Sequence, residues 1–262
     1  MTLTLATAWH PRGEYARFET LLPTLGQVYA EIIIALPPET DAALVQKLQT
    51  LSSDRLPVIV RVASQWPSGR YLALHTALER GAEYVQYVDF DRLLRWVETR
   101  PEEWRRTAAA VCETDCLVIG RSPQAYQTHP RALVQSEAIS NRVASHFLGR
   151  EMDISAGSKG LSRRALEVVV ARSSPVHPFA ADVEWPLLVK QAGYDLRYIE
   201  VDGLDWESAD RYKARAADSD GQRRAAEAYD ADPQNWEYRV RVALEIVDAA
   251  LRTANSHYSG DK

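Results

Sequence analysis

Short apolar blocks rich in Val, Ile, Leu and Tyr alternate along this chain with longer segments whose apolar residues recur every three or four positions. The first kind reads as buried strand and the second as amphipathic helix. Strands are predicted at residues 3–8, 29–36, 57–63, 84–88, 115–120 and 196–201. Helices are predicted at 14–25, from Thr40 or Asp41 as a cap, through 72–81, from Arg92, from Pro101, and at 132–148, 181–193 and 236–251. Pro101 with Glu102 and Glu103 makes a first helical turn that carries acids near its positive end. Strands that alternate with helices call for a mostly parallel central sheet flanked by helices, in one Rossmann-like α/β domain over residues 1–207. Residues 208–262 then form a polar segment and a C-terminal helix packed on that domain. Within it, 208–232 reads as mobile or as a surface-hugging helix, and 253–262 as a frayed tail. The Gly-x-Gly-x-x-Gly fingerprint is absent, and there is no internal repeat.

The stretch from Gly81 to Asp91 organises the rest, because its aromatic and β-branched run ends abruptly in Asp89-Phe90-Asp91. In an open α/β sheet, ligands bind outside the carboxyl ends of the strands, so these two acids stand where a site belongs. If the backbone stays extended, their period-two spacing points them the same way, toward one shared cation. Mg2+ or Mn2+ suits such a pair, since one or two carboxylates and the phosphates of a substrate complete its shell. Either Asp can equally cap the helix that the pattern starts near Arg92.

Composition narrows the class. The chain has 262 residues, 46% of them hydrophobic and 26% charged, which is ordinary for a globular domain. A net charge of −5 argues against a nucleic-acid partner, which needs a clustered basic face. No apolar run approaches the roughly 20 residues of a membrane span, and the first residues lack a secretory pattern, so a cytoplasmic location is expected. Cys112 and Cys116 stand four apart with no second Cys pair, which makes a zinc or disulfide role the minor reading.

Other candidates border the acid-tipped strand. Residues 64–70, with Trp66, Ser68 and Arg70, form a loop with turn residues and a cation just before it, and Trp9 follows the first strand. Residues 153–162 carry Gly157, Lys159 and Gly160 at the junction of a strand and a helix. There the backbone can approach a ligand closely, or a tight turn can demand positive φ. Arg70 and Lys159 are cations suited to phosphate oxygens, and Trp9, Trp66 and Trp185 can stack on a base or pack in the core.

Taken with Ala181-Asp182-Val183-Glu184-Trp185, the Asp89-Phe90-Asp91 motif resembles the nucleotide-sugar glycosyltransferases of the A-type fold. The resemblance covers roughly residues 3–207. It implies that Asp89 and Asp91 bind the metal and the donor diphosphate. It also places Asp182 where the family keeps its acceptor-activating carboxylate, with Glu184 as the next acid. The segment from Ser68 through Arg70 resembles the stretch that contacts the nucleotide, and Trp9, Gly157 and Lys159 join it as donor-side candidates. Two departures stand out. The first acid of the later segment is replaced by Ala181, and the late metal-binding His has no counterpart, with only Asp202, Asp205 and Glu207 nearby.

What the resemblance implies is a metal-dependent transferase that moves a sugar from a nucleoside diphosphate sugar to an acceptor hydroxyl, with Mg2+ or Mn2+ as cofactor. Charge growing on the leaving diphosphate would be met by the metal, and the acceptor proton by Asp182. A nucleotidyltransferase of related fold and a degenerate nucleotide-sugar-binding domain remain alternatives. Base, sugar, acceptor and stereochemistry are left open, as is homodimer formation.

Overall fold

The structure is a computed structural model and describes residues 2–256. Seven strands form one sheet: β1 (Leu3–Ala8), β2 (Glu31–Leu36), β3 (Val58–Val62), β4 (Tyr84–Val88), β5 (Cys116–Arg121), β6 (Ser158–Ser162) and β7 (Leu196–Val201). Their spatial order is β3-β2-β1-β4-β6-β5-β7. All neighbours are parallel except around β6, which runs antiparallel to both β4 and β5. The mixed α/β class and the mostly parallel sheet agree with the sequence pattern. The strand β6 does not, because residues 158–162 carry a glycine and a single large apolar residue, Leu161, and so do not announce a central strand. The structure makes 158–162 the strand itself, and the helix follows it.

Helices cover both faces. Alternate residues of β2 send Ile33 and Ala35 into one core and Ile32, Ile34 and Leu36 into the other. The second core is closed by α1 (Tyr15–Leu25), α2 (Ala42–Gln49), α4 (Phe90–Thr99) and α5 (Pro101–Val111). The first is closed by α3 (Gly69–Glu79), α7 (Arg131–Leu148), α8 (Arg163–Arg172), α9 (Ala181–Gln191) and α11 (Pro233–Ser256). Between β5 and α7 lies the short α6 (Pro123–Gln127), capped by the Ser122 hydroxyl.

The polar segment after residue 208 is ordered by charge. Arg95 pairs with Asp205 at 2.6 Å and Asp210 at 2.9 Å, while Arg17 pairs with Glu98 at 3.0 Å and Asp210 at 3.2 Å. These buried arginines tie the chain around residue 210 to α1 and α4. The helix α10 (Ser219–Asp230) then follows, packing its alanines and Tyr229 against Trp206 and Leu133. The C-terminal helix reaches Ser256, so the expected frayed tail from Thr253 is helical at its start, and 257–262 lie outside the described residues. Both cysteines are free, and burial pushes the Cys116 thiol up to about 12. Among the described residues no helix is long and apolar enough to cross a membrane.

Close packing fixes the turn after β7. A Cβ at Gly203 would lie 1.7 Å from Cδ1 of the fully buried Trp96, whose indole donates to Glu103. Glu103 also accepts from the backbone nitrogens of Asp202 and Gly203. Gly203→Ala should therefore cost about 1–3 kcal/mol of stability by overpacking. Urea denaturation measures it, and an unchanged midpoint contradicts this packing.

Candidate functional site

The chain leaves β1 toward β2 on one side and later returns to build β4 on the other, so the order of strand addition reverses between the parallel β1 and β4. A crevice opens at the carboxyl ends of such a strand pair. Here it is a cavity of about 590 Å³ whose wall includes Ala8 at the end of β1, Trp9 just after it, Tyr87 of β4 and Asp89 just beyond that strand. Helices α10 and α11 roof it with Tyr229, Tyr238 and Arg239.

Three predicted residues meet there, with one cation between two acids. Arg70 Nη2 donates to both oxygens of Asp89 at 3.1 and 3.2 Å, and its Nη1 donates to Asp182 Oδ1 at 2.9 Å. The Tyr87 hydroxyl adds a 2.9 Å hydrogen bond to Asp89. Burial alone would lower the pKa of the Arg70 guanidinium, but Asp89 and Asp182 hold it well above its ordinary value. Arg70 sits in the first turn of α3 rather than in the loop where the sequence placed it.

Asp89 and Asp91 do not share an extended backbone. Asp89 occupies the cap position of α4, with φ −59° and ψ 131°, and the helix begins at Phe90 instead of near Arg92. The Asp89 side chain makes no capping bond, because Arg70 and Tyr87 take it. Its place is fixed from behind by Gly157. That residue has φ +65°, its carbonyl accepts from Asp89 N at 3.1 Å, and a Cβ there would stand 2.3 Å from Asp89 Oδ2. Gly157 therefore serves Asp89 and is not a wall residue of the cavity.

Lys159 is turned away from the cavity in the same manner. It lies opposite Tyr87 on β6, is 1% exposed, and its ammonium donates to Ile154 O at 3.1 Å and to Asp182 Oδ1 at 3.3 Å. The antiparallel strand thus supplies a buried cation behind the acid of α9. Asp182 sits in the first turn of that helix, and the cap position belongs to Ala180, so capping is not its role. Its Oδ1 receives both Arg70 and Lys159, and Oδ2 takes no hydrogen bond among the described residues.

Other expected members are elsewhere. Glu184 accepts from Ser174 N and borders a separate small cavity with Arg172 and Arg252, which corrects its placement beside Asp182. One helical turn cannot aim residues two apart at the same point. Ser68 donates to Gln65 O and does not line the large cavity, although Pro67 and Arg70 do. Trp9 does line it, but is 2% exposed and packed at 4.7 Å on Phe90. Trp185 is core, edge-on to Tyr87 at 5.2 Å. The Trp66 side chain lies outside the described ones.

The sequence marks Glu207 only as one of three acids near the position of the missing late His, and its acidity after the last strand is its one sequence signal. It is buried in the cavity wall, 3.5 Å from Arg92 Nε, and its Oε2 has no hydrogen-bond partner. Nearby, Asp91 has its carboxyl pushed up to about 7, first by burial, then by the charges of Glu207 and Asp89. Burial and the neighbouring acids therefore oppose ionisation of Asp91, whereas Asp89 is paired with Arg70. Among the described residues no group of three His, Cys, Asp or Glu side chains is arranged to hold a metal. A hard cation that keeps water and phosphate in its shell needs only one or two carboxylates, and Asp91 with Glu207 fits that demand.

No family model and no curated protein matches the chain. Among solved structures it is similar to S. aureus TarS 1–349 in complex with UDP, at 15% identity and a TM-score of 0.43, covering 100% of this chain and 73% of that one.

The raised carboxyl makes a prediction about stability. Asp91 ordinarily ionises near 3.8, so from about pH 4 to 7 the unfolded chain has released a proton that the folded one still holds. Its contribution is complete below that window and lost as pH rises through it. Asp91→Asn removes the effect, so its stability relative to the parent should improve between about pH 5 and 8. Urea midpoints at both pH values test this, and a difference that does not change with pH contradicts it.

Proposed function

We propose that this chain is a glycosyltransferase that moves a sugar from a nucleoside diphosphate sugar to an acceptor hydroxyl. The observation that carries the reading is the meeting of Asp89 and Asp182 across Arg70, in the cavity at the carboxyl ends of β1 and β4. That is where an open α/β sheet binds a nucleotide.

On this reading the donor lies along the ends of β1 and β4 and the acceptor approaches Asp182 under the roof of α10 and α11. The acceptor oxygen attacks the anomeric carbon while its proton passes to Asp182 Oδ2. The bond from that carbon to the phosphate oxygen breaks, and its electron pair leaves with the diphosphate. Arg70 and Lys159 hold Oδ1, which orients Oδ2 toward the acceptor. This assigns Lys159 to positioning the base rather than to phosphate. Asp91 and Glu207 are the residues that would hold Mg2+ or Mn2+, and the ion, when bound, would supply electrostatic stabilisation of the leaving diphosphate.

The test is incubation with Mn2+, a panel of nucleotide-sugars and a panel of acceptors, reading released nucleoside diphosphate. Asp182→Asn should keep donor binding and lose roughly a hundredfold or more in turnover, the contribution of a positioned base. Lys159→Met should lower turnover with donor affinity intact. A melting shift without release under any acceptor would identify a binding domain instead, and full activity in Asp182→Asn would remove Asp182 from the role.

A further inference from the structure

Five arginines line the large cavity, and their pairing divides them. Arg70 is held by Asp89 and Asp182; Arg92 stands 3.5 Å from Glu207 and donates to Ala156 O; Arg239 donates to the Tyr229 hydroxyl and lies 4.0 Å from Glu137. Arg12 and Arg211 make no ion pair and no side-chain hydrogen bond among the described residues. Cations already neutralised by protein carboxylates are poor candidates for an incoming anion. The two unpaired ones are good candidates, because a guanidinium offers a planar fork that matches phosphate oxygens.

The backbone brings these two together from distant parts of the chain. Arg12 lies in the loop after β1 and Arg211 just beyond the turn at Glu207–Asp210, yet Tyr212 N donates to Arg12 O at 3.0 Å. The join is made of unusual conformations. Gly13 has φ +93°, and a Cβ there would be 3.1 Å from Tyr212 Cα. Tyr212 itself has φ +60° while its side chain is 79% exposed, so no burial offsets the strain of a left-handed tyrosine. Such a residue persists where its surroundings over-determine it, and these positions cluster at ligand clamps. What over-determines it is the anchoring of Asp210 by Arg95, Arg17 and Ala217 N.

We propose that Arg12 and Arg211 form a two-armed clamp for the diphosphate of the ligand, one arm from the loop after β1 and one from the segment after Asp210. The assignment to a nucleotide's diphosphate rests on the glycosyltransferase reading. The clamp itself requires only a polyphosphate anion. Two guanidinium groups on separate segments suit two linked phosphates better than one.

Calorimetry on the full chain separates the two levels, using inorganic pyrophosphate, then UDP, GDP and ADP, with Arg12→Ala, Arg211→Ala and the double variant. Neither side chain has an ion pair or a hydrogen bond to lose among the described residues, so melting temperatures should stay close to the parent's, with only the through-space attraction of Arg12 for Asp91 removed. Each single variant should weaken pyrophosphate and the bound nucleoside diphosphate about tenfold, and the double variant about a hundredfold, as expected for charge-assisted hydrogen bonds. Parent binding of pyrophosphate that is undiminished in the double variant overturns the clamp, as does a parent that binds none. If pyrophosphate binds through both arginines but no nucleoside diphosphate binds more tightly than it, the clamp stands and the glycosyltransferase reading fails. If Arg70→Gln abolishes diphosphate binding while the double variant retains it, the phosphates belong to Arg70 and the proposal is wrong.

Discussion

Two carboxylates separated by 92 intervening residues, Asp89 and Asp182, are held at the same point by a single guanidinium. Placing two acids at the bottom of a cavity is costly unless each has a cationic partner and its hydrogen bonds are satisfied. Arg70 meets that demand for both, and the surrounding elements are arranged so that it can. Helix α3 starts at Gly69, which puts Arg70 in its first turn and close to the end of β4. The turn at Gly157 leaves room for Asp89, and β6 brings Lys159 up behind Asp182. Tyr87, on the core side of β4, finishes the shell of Asp89 and rests against Trp185 of α9.

The antiparallel direction of β6 is the topological condition for this. Chain entering from 153–157 must pass Asp89 before it pairs with β4, so the residue at the turn and the lysine two positions on fall at the same end as the acids. A parallel strand would carry its leading turn to the opposite end of the sheet, and both Asp89 and Asp182 would lose their backing. The positive φ of Gly157 and the buried ammonium of Lys159 are two consequences of one reversal.

Most of the architecture was legible because it rests on local pattern. The blocks at Leu3–Ala8 and Tyr84–Val88 are strands because buried parallel strands need continuous apolar sequence, and Asp41 caps α2 through Ala43 N as its position suggested. The acids at the end of β4 were legible for the same reason. Pairwise facts were not. Nothing local distinguishes Asp89, already neutralised by a residue nineteen positions earlier, from Asp91, whose ionisation burial and the neighbouring acids oppose. Lys159 and Arg70 looked alike as cations, yet one is sealed behind Asp182 and the other bridges two carboxylates. Glu184 was coupled to Asp182 by sequence spacing, and helical rotation sends it to another cavity. For 208–232 low hydrophobicity left a mobile segment and a surface-hugging helix both open; α10 takes the second form over Ser219–Asp230, and Asp205 and Asp210, counter-ions of buried arginines, order the stretch before it.

The cavity holds positive and negative charge that do not cancel one another. Asp91 and Glu207 crowd two carboxyls beside the single guanidinium of Arg92: burial and the charges of Glu207 and Asp89 raise the pKa of Asp91 and hold its proton on, and Glu207 Oε2 takes no hydrogen bond. Arg12 is close enough for its field to oppose that rise, yet it makes no ion pair there. Collapse of the two sets onto each other would be favourable by Coulomb attraction, and the backbone prevents it by pinning the Arg12 loop to Tyr212 and the Glu207 turn to Asp210's partners. Charges kept apart by a rigid frame favour a ligand that carries the complementary pattern, anionic toward the arginines and cationic toward the acids. A diphosphate with a divalent cation on it has that pattern in one small group, whereas a bare phosphate or a bare metal satisfies only half of it.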